Sequence, residues 1–336
     1  MKLKIAPKTI GAATLAILCV LAMSLPNVFA QQKTPVHITY SENMYAAIAM
    51  VAIEKGYLAA QGLEVKHSSS GTAAEVLEAL VGGSTDFGVA AAAQIEAIAS
   101  KKLPIKAVAL NSYGFTGSVV VPRKDDKTKT MADLKGKTVG VQFATGTYGV
   151  WARYLKTQGL TSKDFNLKNL TNPLIPAAME SNSIEGAVTW EPSTARIVAK
   201  GIGRAILGPN DLAGPINSPY PFFLITSSKM IEQKPDVVQK VINAWGQSLK
   251  YIRENPDDTA RIMQESMKKM RGITLDLSDV KQELYATKYD RLIVNDGDIK
   301  DVEEYARVLV EDGKSKAVPD VKPVIDNRFA EKAKIK

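Results

Sequence analysis

A tryptophan and a glutamate stand side by side where a buried strand is predicted to end. The strand covers residues 184–189, and Trp190 and Glu191 follow it directly. An indole ring at this place can wall a binding pocket, and it can equally well pack in the core. The carboxylate would repel a simple anion unless the ligand also carries an amine or a hydroxyl group. The pair therefore predicts a small-molecule site and leaves the chemistry of the ligand open.

Loops of small residues precede several predicted helices and supply the rest of the candidate site. Such loops let backbone amides approach a ligand closely, and the free N–H groups at a helix start favour an oxyanion. In an open α/β sheet the ligand lies beyond the carboxyl ends of the strands, where these loops meet. We therefore expect a small organic anion there. The predicted ligand-binding residues in the loops are Ser41, Glu42, Asn43, Gly71, Thr72, Ala73, Ala91, Ala92, Phe143, Thr145, Gly146 and Thr147.

Several of these residues also have a purely structural explanation. Thr72 and Glu75 form a capping-box pattern, which would already use the threonine hydroxyl. Either Thr145 or Thr147 can cap the helix that is predicted to follow them. Glu42 is also typical of a solvated loop. The sequence leaves these alternatives open.

The residues needed for a cofactor, a metal or a nucleophilic triad are not found together. His37 and His67 lie in predicted strands 30 residues apart, with no cysteine or paired carboxylate at ligand spacing. The sequence also lacks a P-loop and a dinucleotide glycine fingerprint. We therefore expect no cofactor, no metal and no catalytic residues.

The first thirty residues have the pattern of a secretory signal peptide. Three lysines precede the apolar run 10–25, and residues 28–30 form a small-x-small cleavage site. The run is shorter than the roughly 20 residues of a membrane span, although an uncleaved anchor is the alternative reading. Leu18 is too large for a lipoprotein cleavage site before Cys19. This pattern predicts export to the periplasm, with a mature chain that begins at Gln31 and has no cysteine.

The charge pattern excludes one class of partner. The chain has 43 Lys and Arg against 35 Asp and Glu, a formal net charge of +8. The lysines are dispersed, and no basic stripe is interleaved with aromatic residues. The sequence therefore predicts no nucleic-acid partner.

Strand-like apolar runs alternate with helical patterns from Val36 onward, which is typical of parallel β-α-β units and an α/β fold. The order of strand, small-residue loop, helix and strand occurs once from Val36 and again from Thr138. This repeat predicts two lobes, and the chain is long enough for each to have its own core.

The second lobe is predicted to be inserted into the first. We place lobe 1 in residues 31–121 and 219–336, the latter with the C-terminal helices, and lobe 2 in residues 122–218. Two crossovers, near 120–123 and 218–223, would then form a hinge that closes around a ligand. Tyr113 and Tyr220 lie beside this hinge, and we expect them to pack in the core or at the rim. The alternative is that they offer hydroxyl groups or ring faces to a bound solute.

Motifs along the chain resemble the sulfonate, taurine and nitrate family of ABC transporter substrate-binding proteins. In the second half these are the stretches 133–141, 144–147 and 184–192, and in the first half 56–58, 62–65, 79–80 and 86–88. The resemblance extends in order over essentially the whole mature chain.

This resemblance implies a type II periplasmic-binding fold, with two lobes that each contain a central, mostly parallel sheet flanked by helices and are joined by two crossover segments. It implies a monomeric receptor that binds a small, sulfonate- or taurine-like ligand between its lobes and docks onto an ABC permease and its ATPase. A receptor for nitrate, an aromatic acid or a heterocyclic vitamin precursor is the alternative. A periplasmic enzyme or a sensor domain with the same fold is the alternative from a different functional class.

Overall fold

The computed structural model describes residues 33–41, 44–70, 72–272 and 275–333. The predicted signal peptide, residues 1–30, lies outside the described residues, as do Glu42, Asn43 and Gly71 of the predicted site. Within the described part, no helix has the length and apolar character needed to cross a membrane.

Ten strands in the described residues form two five-stranded sheets. The first sheet has the order β2-β1-β3-β10-β4 and the second has the order β7-β6-β8-β5-β9. The strands are β1 (Thr34–Ser41), β2 (Leu63–Ser70), β3 (Phe87–Ala91), β4 (Ile105–Tyr113), β5 (Gly117–Pro122), β6 (Thr138–Val141), β7 (Asn166–Asn169), β8 (Gly186–Trp190), β9 (Gly203–Leu207) and β10 (Pro221–Ser227).

The two sheets have the same topology, which confirms the predicted two-lobed α/β fold. In each sheet the second strand in the order, β1 or β6, pairs in parallel with a neighbour on either side. A further strand, β10 or β5, runs antiparallel to both of its neighbours. The sheets are therefore mixed, with two parallel and two antiparallel pairs each, whereas the sequence predicts mostly parallel sheets.

The first crossover lies earlier in the chain than the sequence predicts. The sequence places the apolar run 118–121 in lobe 1, but β5 pairs in the second sheet, with Gly117 opposite Trp190 and Val120 opposite Ala187. The chain passes between the sheets at residues 114–116, because β4 ends at Tyr113 and β5 begins at Gly117. The predicted boundary after residue 121 thus falls inside a strand of the second sheet, and the boundary at 218 stays a prediction.

Helices cover both sheets. They are α1 (Ala47–Glu54), α2 (Tyr57–Ala60), α3 (Ala73–Val81), α4 (Ala92–Ser100), α5 (Gly146–Thr157), α6 (Ile175–Glu180), α7 (Ser193–Ala199), α8 (Pro209–Ala213), α9 (Ser228–Gln233), α10 (Pro235–Glu254), α11 (Pro256–Arg271), α12 (Leu277–Ala286), α13 (Asp296–Glu311) and α14 (Arg328–Lys332). The longest, α10, begins with a proline, whose missing N–H is not needed at a helix start. Its buried face includes Trp245, which is completely shielded from solvent.

Helix α13 packs against both α4 and α5 and so connects the two sheets. The connection includes an ion pair of 2.7 Å between Arg153 of α5 and Asp301 of α13, whose side chains are only 12% and 3% exposed. Ser218 donates a second hydrogen bond to the same Asp301 oxygen. One hydrophobic cluster also extends from Val36 in β1 to Val139 in β6. The two sheets therefore share part of their core.

Candidate ligand site

Four aromatic rings surround the two crossovers. Tyr45, from the 3₁₀ turn Met44–Ala46, stacks on Phe222 with ring centroids 3.4 Å apart. Tyr220 packs edge-on against Phe115 and Phe222, at 5.0 and 5.2 Å. All four side chains are buried. The point where the chain passes between the sheets is therefore packed as tightly as a core.

The hydroxyl groups of the two tyrosines each form a hydrogen bond with a threonine hydroxyl. Tyr45 Oη lies 2.9 Å from Thr116 Oγ1, and Tyr220 Oη lies 3.1 Å from Thr147 Oγ1. Burial raises the pKa of Tyr220 to about 12, so its phenol is neutral at physiological pH. Tyr220 also has a left-handed backbone, with φ of 52°. Such a conformation is unfavourable for a residue with a Cβ and is held by the surrounding packing.

The predicted loop 143–147 reaches this aromatic cluster. Thr145 caps α5 by accepting a hydrogen bond of 3.2 Å from Tyr148 N, as the capping alternative predicted. Gly146 follows, and a Cβ there would lie 2.8 Å from a ring carbon of Tyr220. Phe143 is half-buried against the edge of Tyr148. The loop thus places Gly146 and Thr147 directly on Tyr220.

Among the predicted first-lobe residues, the small side chains lie at strand ends and helix starts. Ser41 ends β1 opposite Ser70 of β2. Thr72 accepts a hydrogen bond of 3.3 Å from Glu75 N, which confirms that its hydroxyl caps α3, and Ala73 is the first residue of that helix.

The other predicted first-lobe residues lie next to the aromatic cluster. Ala91 ends β3 opposite Phe222, and Ala92 begins α4. Both alanines are buried. The backbone N–H of Ala91 is already bound at 3.2 Å by the side-chain oxygen of Gln94. That amide is therefore not available to a ligand in this state.

Hydrogen bonds fix the positions of Trp190 and Glu191 at the end of β8. Asn172 holds the strand end, because its side chain donates to Trp190 O at 3.1 Å and accepts from Trp190 N at 3.3 Å. Trp190 is half-buried. Glu191 Oε2 accepts a hydrogen bond of 2.8 Å from Ala195 N at the start of α7. Burial, with a smaller effect of the charge on Asp279, raises the pKa of the Glu191 carboxyl.

Glu283, on α12, is a candidate that the sequence reasoning missed. Its side chain is only 7% exposed, and its Oε2 is buried without a hydrogen-bond partner in the described part of the chain. Burial raises its pKa well above the usual value, and the charges of Glu191 and Asp279 raise it further. A signal was present, since Glu283 follows Val280 by three residues and so lies near the apolar face of α12.

Two buried tyrosines complete the surroundings of Glu283. Burial, followed by the charges of neighbours that include Glu283, raises the pKa of Tyr45. Burial and the charge of Glu283 also raise the pKa of Tyr289. The charge of Glu191 therefore acts on Glu283, which in turn acts on Tyr45 of the aromatic cluster. A site with these groups can bind hydrogen-bond donors, cationic nitrogen and flat rings.

The fold and the crossover geometry define a periplasmic-binding-type protein. The alkanesulfonate-binding protein of Xanthomonas axonopodis pv. citri, solved bound to MOPS, superimposes with a TM-score of 0.72 at 18% identity, over 88% of this chain and 99% of that one. The desulfurization enzyme DszB also shares the fold, with a TM-score of 0.64 at 14% identity over 89% of this chain and 98% of that chain.

The chain belongs to the NMT1/THI5-like family, whose model matches residues 43–259. The taurine-binding periplasmic protein of Escherichia coli is 24% identical over 308 residues, which are 89% of this chain and 94% of that protein. A provisionally named binding protein of Brucella abortus is 27% identical over 254 residues, which are 74% of this chain and 78% of that protein. The relatives compared are thus binding proteins.

Proposed function

We propose that the protein is the solute-binding receptor of an ABC importer. It takes up a small molecule between its two sheets and delivers it to a membrane permease that is driven by a cytoplasmic ATPase. The observation that carries this proposal is the pair of topologically identical sheets, whose strand ends and small-residue loops meet at the crossovers. The similarity to a taurine-binding periplasmic protein over nearly the full length of both chains supports it.

Export to the periplasm is part of the proposal. The lysines and the apolar run within residues 1–30 support a cleaved signal peptide. Mass analysis of the protein from a periplasmic fraction should give a chain that begins at Gln31. An intact N-terminus, or a lipid on Cys19, would contradict export by this route.

The ligand in this proposal is a small organic molecule of the sulfonate or taurine type. The loops at Thr72 and Thr145 support an anionic group, because each begins a helix. A receptor for nitrate, an aromatic acid or a heterocyclic vitamin precursor is the alternative. Nitrate is the least favoured of these, since a simple anion gains nothing from the carboxyls of Glu191 and Glu283.

An enzyme is the second candidate, because DszB has the same fold. Two observations favour a receptor. His37 is bound to Ser84 O and Ser68 Oγ at 2.6 and 3.0 Å, and His67 stacks on Tyr40. Both histidines are therefore engaged within the first sheet. We propose that the protein binds its solute as a monomer and releases it unchanged.

A ligand screen tests the receptor function. The mature protein is heated with a panel of sulfonates, amines, aromatic acids, heterocycles and nitrate, and co-purifying solutes are identified by native mass spectrometry. A receptor should give one saturable 1:1 ligand, with about 2.7 kcal/mol of added stability at 100 times the dissociation constant. Recovery of a chemically changed solute would favour the enzyme. The absence of any binding solute would overturn the receptor function.

A further inference from the structure

Glu283 is placed where a carboxyl group is unfavourable for folding. It is 93% shielded from solvent, since only 7% of its surface is exposed, and Oε2 has no hydrogen-bond partner among the described residues. A buried polar group without a partner destabilises the folded state. Glutamate is therefore not explained by the packing of α12.

A second carboxyl, that of Glu191, lies close enough to act on Glu283. Glu191 stands at the end of β8, and its charge is felt at Glu283 together with that of Asp279. One oxygen of Glu191, Oε2, is fixed by Ala195 N, and this bond does not use Oε1. The two glutamates thus belong to separate parts of the fold, since Glu191 follows β8 and Glu283 lies in α12.

The positive partner of this pair is missing from the described chain. The charges that act on Glu283 are those of Glu191 and Asp279, and no lysine or arginine contributes. The same holds for Glu191, where Asp279 is the charged neighbour. The charge of Glu283 also raises the pKa of two tyrosines, Tyr45 and Tyr289. A cation that balances the pair would have to come from outside these residues.

We infer that the solute carries a protonated nitrogen and that Glu283 and Glu191 together bind it. The inference rests on the proposed receptor function and names its ligand class. Tyr45 and Tyr289 are near enough to feel the charge of Glu283, and aromatic rings near the carboxyls favour a cation further. A zwitterion satisfies the whole site, with its anionic group at the helix start after Thr145 and its nitrogen at the carboxyls.

One other role of Glu283 is chemically reasonable and gives the opposite result. A protonated Glu283 can donate a hydrogen bond to an oxyanion of the solute. Glutamine keeps a hydrogen-bond donor at this position and removes the charge. Glu283→Gln therefore abolishes the binding of a cation and preserves the binding of an anion.

The experiment compares solutes that differ only in the nitrogen. The matched pairs are taurine and 2-hydroxyethanesulfonate, benzylamine and benzyl alcohol, and putrescine and 1,4-butanediol. Titration calorimetry measures each with the mature wild-type protein, Glu283→Gln, Glu191→Gln and the control Glu232→Gln. Glu232 is exposed on α9, beyond the end of β10 that is remote from Phe222. Glu191→Gln serves as a second test because its side chain is only half-buried.

We expect the amine of at least one pair to bind at least tenfold more tightly than its hydroxyl partner. This preference should be lost in Glu283→Gln and Glu191→Gln and kept in Glu232→Gln. No preference for any amine, or an amine affinity within twofold of wild type in Glu283→Gln, overturns the inference. If the ligand screen identifies a plain anion whose affinity Glu283→Gln leaves unchanged, the receptor function stands and this inference fails. If no solute binds at all, both fail.

Discussion

The hydroxyl groups of Thr147 and Tyr220 lie 3.1 Å apart, and both side chains are buried. Thr147 is in the first turn of α5, which packs against the second sheet, whereas Tyr220 immediately precedes β10 of the first. The pair thus joins the two halves of the molecule where the chain crosses between them. When one sheet moves against the other, this hydrogen bond must either break or move together with both residues.

Tyr220→Phe should destabilise the protein by about 1–3 kcal/mol, because the variant leaves the buried Thr147 hydroxyl without this partner. Urea unfolding measures the change. Tyr285→Phe is the matched control, since the Tyr285 hydroxyl also binds a side chain, Asp257 at 3.0 Å, but its residue is 52% exposed. Equal losses in the two variants would contradict a special role for the crossover pair.

Gly146→Ala should destabilise the protein by about 1–3 kcal/mol, because the new methyl group would overlap the Tyr220 ring. To relieve this overlap α5 must move away from Tyr220, and this movement should also weaken solute binding. Gly214→Ala is the control, since a Cβ there meets nothing within 4 Å and the backbone is already helical. Thermal unfolding of both variants checks the prediction, which is wrong if the two alanines behave alike.

Trp190→Ala should weaken solute binding by about 2 kcal/mol, roughly thirtyfold, if the indole walls the site. Folding should survive because the side chain is only half-buried. Trp151→Ala should have the reverse signature, since Trp151 is fully buried, and should lower the free energy of unfolding by about 3–5 kcal/mol. Affinity for the screened solute and the unfolding midpoint are measured on both. Wild-type affinity in Trp190→Ala would remove the tryptophan from the site.

Glu283→Gln should make the ligand-free protein more stable at neutral pH. The folded-state pKa of Glu283 lies above its ordinary value of 4.5, so the folded protein binds more protons than the unfolded chain between these two values. The stability of the wild type therefore falls as the pH rises through that window, and it stays lower above it. Glutamine removes this loss. Melting temperatures from pH 4 to pH 8 should diverge, with the variant higher at the alkaline end.

The control for this pH series is Glu232→Gln, whose melting curve should follow that of the wild type. Parallel curves for Glu283→Gln and the wild type would show that Glu283 titrates normally. The raised pKa of Glu191 acts in the same direction, so the double variant with Glu191→Gln should extend the divergence.

Local patterns in the sequence predicted much of the fold. Thr72 caps α3 because the threonine and the helix start are adjacent in the chain, and the same holds for Thr145 and α5. The repeated order of strand, loop and helix predicted two similar sheets, and both have the same strand order. These features depend on neighbours within a few residues, which a sequence shows directly.

Features that depend on distant partners could not be predicted in the same way. The apolar run in β5 would be buried in either sheet, and only its pairing with β8 and β9 decides which one. Glu283 is far in sequence from Glu191, so no spacing indicates that their charges interact. The candidate site from the sequence therefore contained Glu191 without the carboxyl on which its charge acts.

All strands of the second sheet, β5 to β9, come from one uninterrupted stretch, whereas the first sheet receives β10 after that stretch has ended. A genetic exchange with breakpoints in the two crossovers would therefore replace the second sheet without cutting any strand. It would import a new Thr147, Trp190 and Glu191 and leave the resident Tyr45 and Glu283 in place. New ligand preferences in this family can thus arise by the shuffling of halves as well as by point substitution.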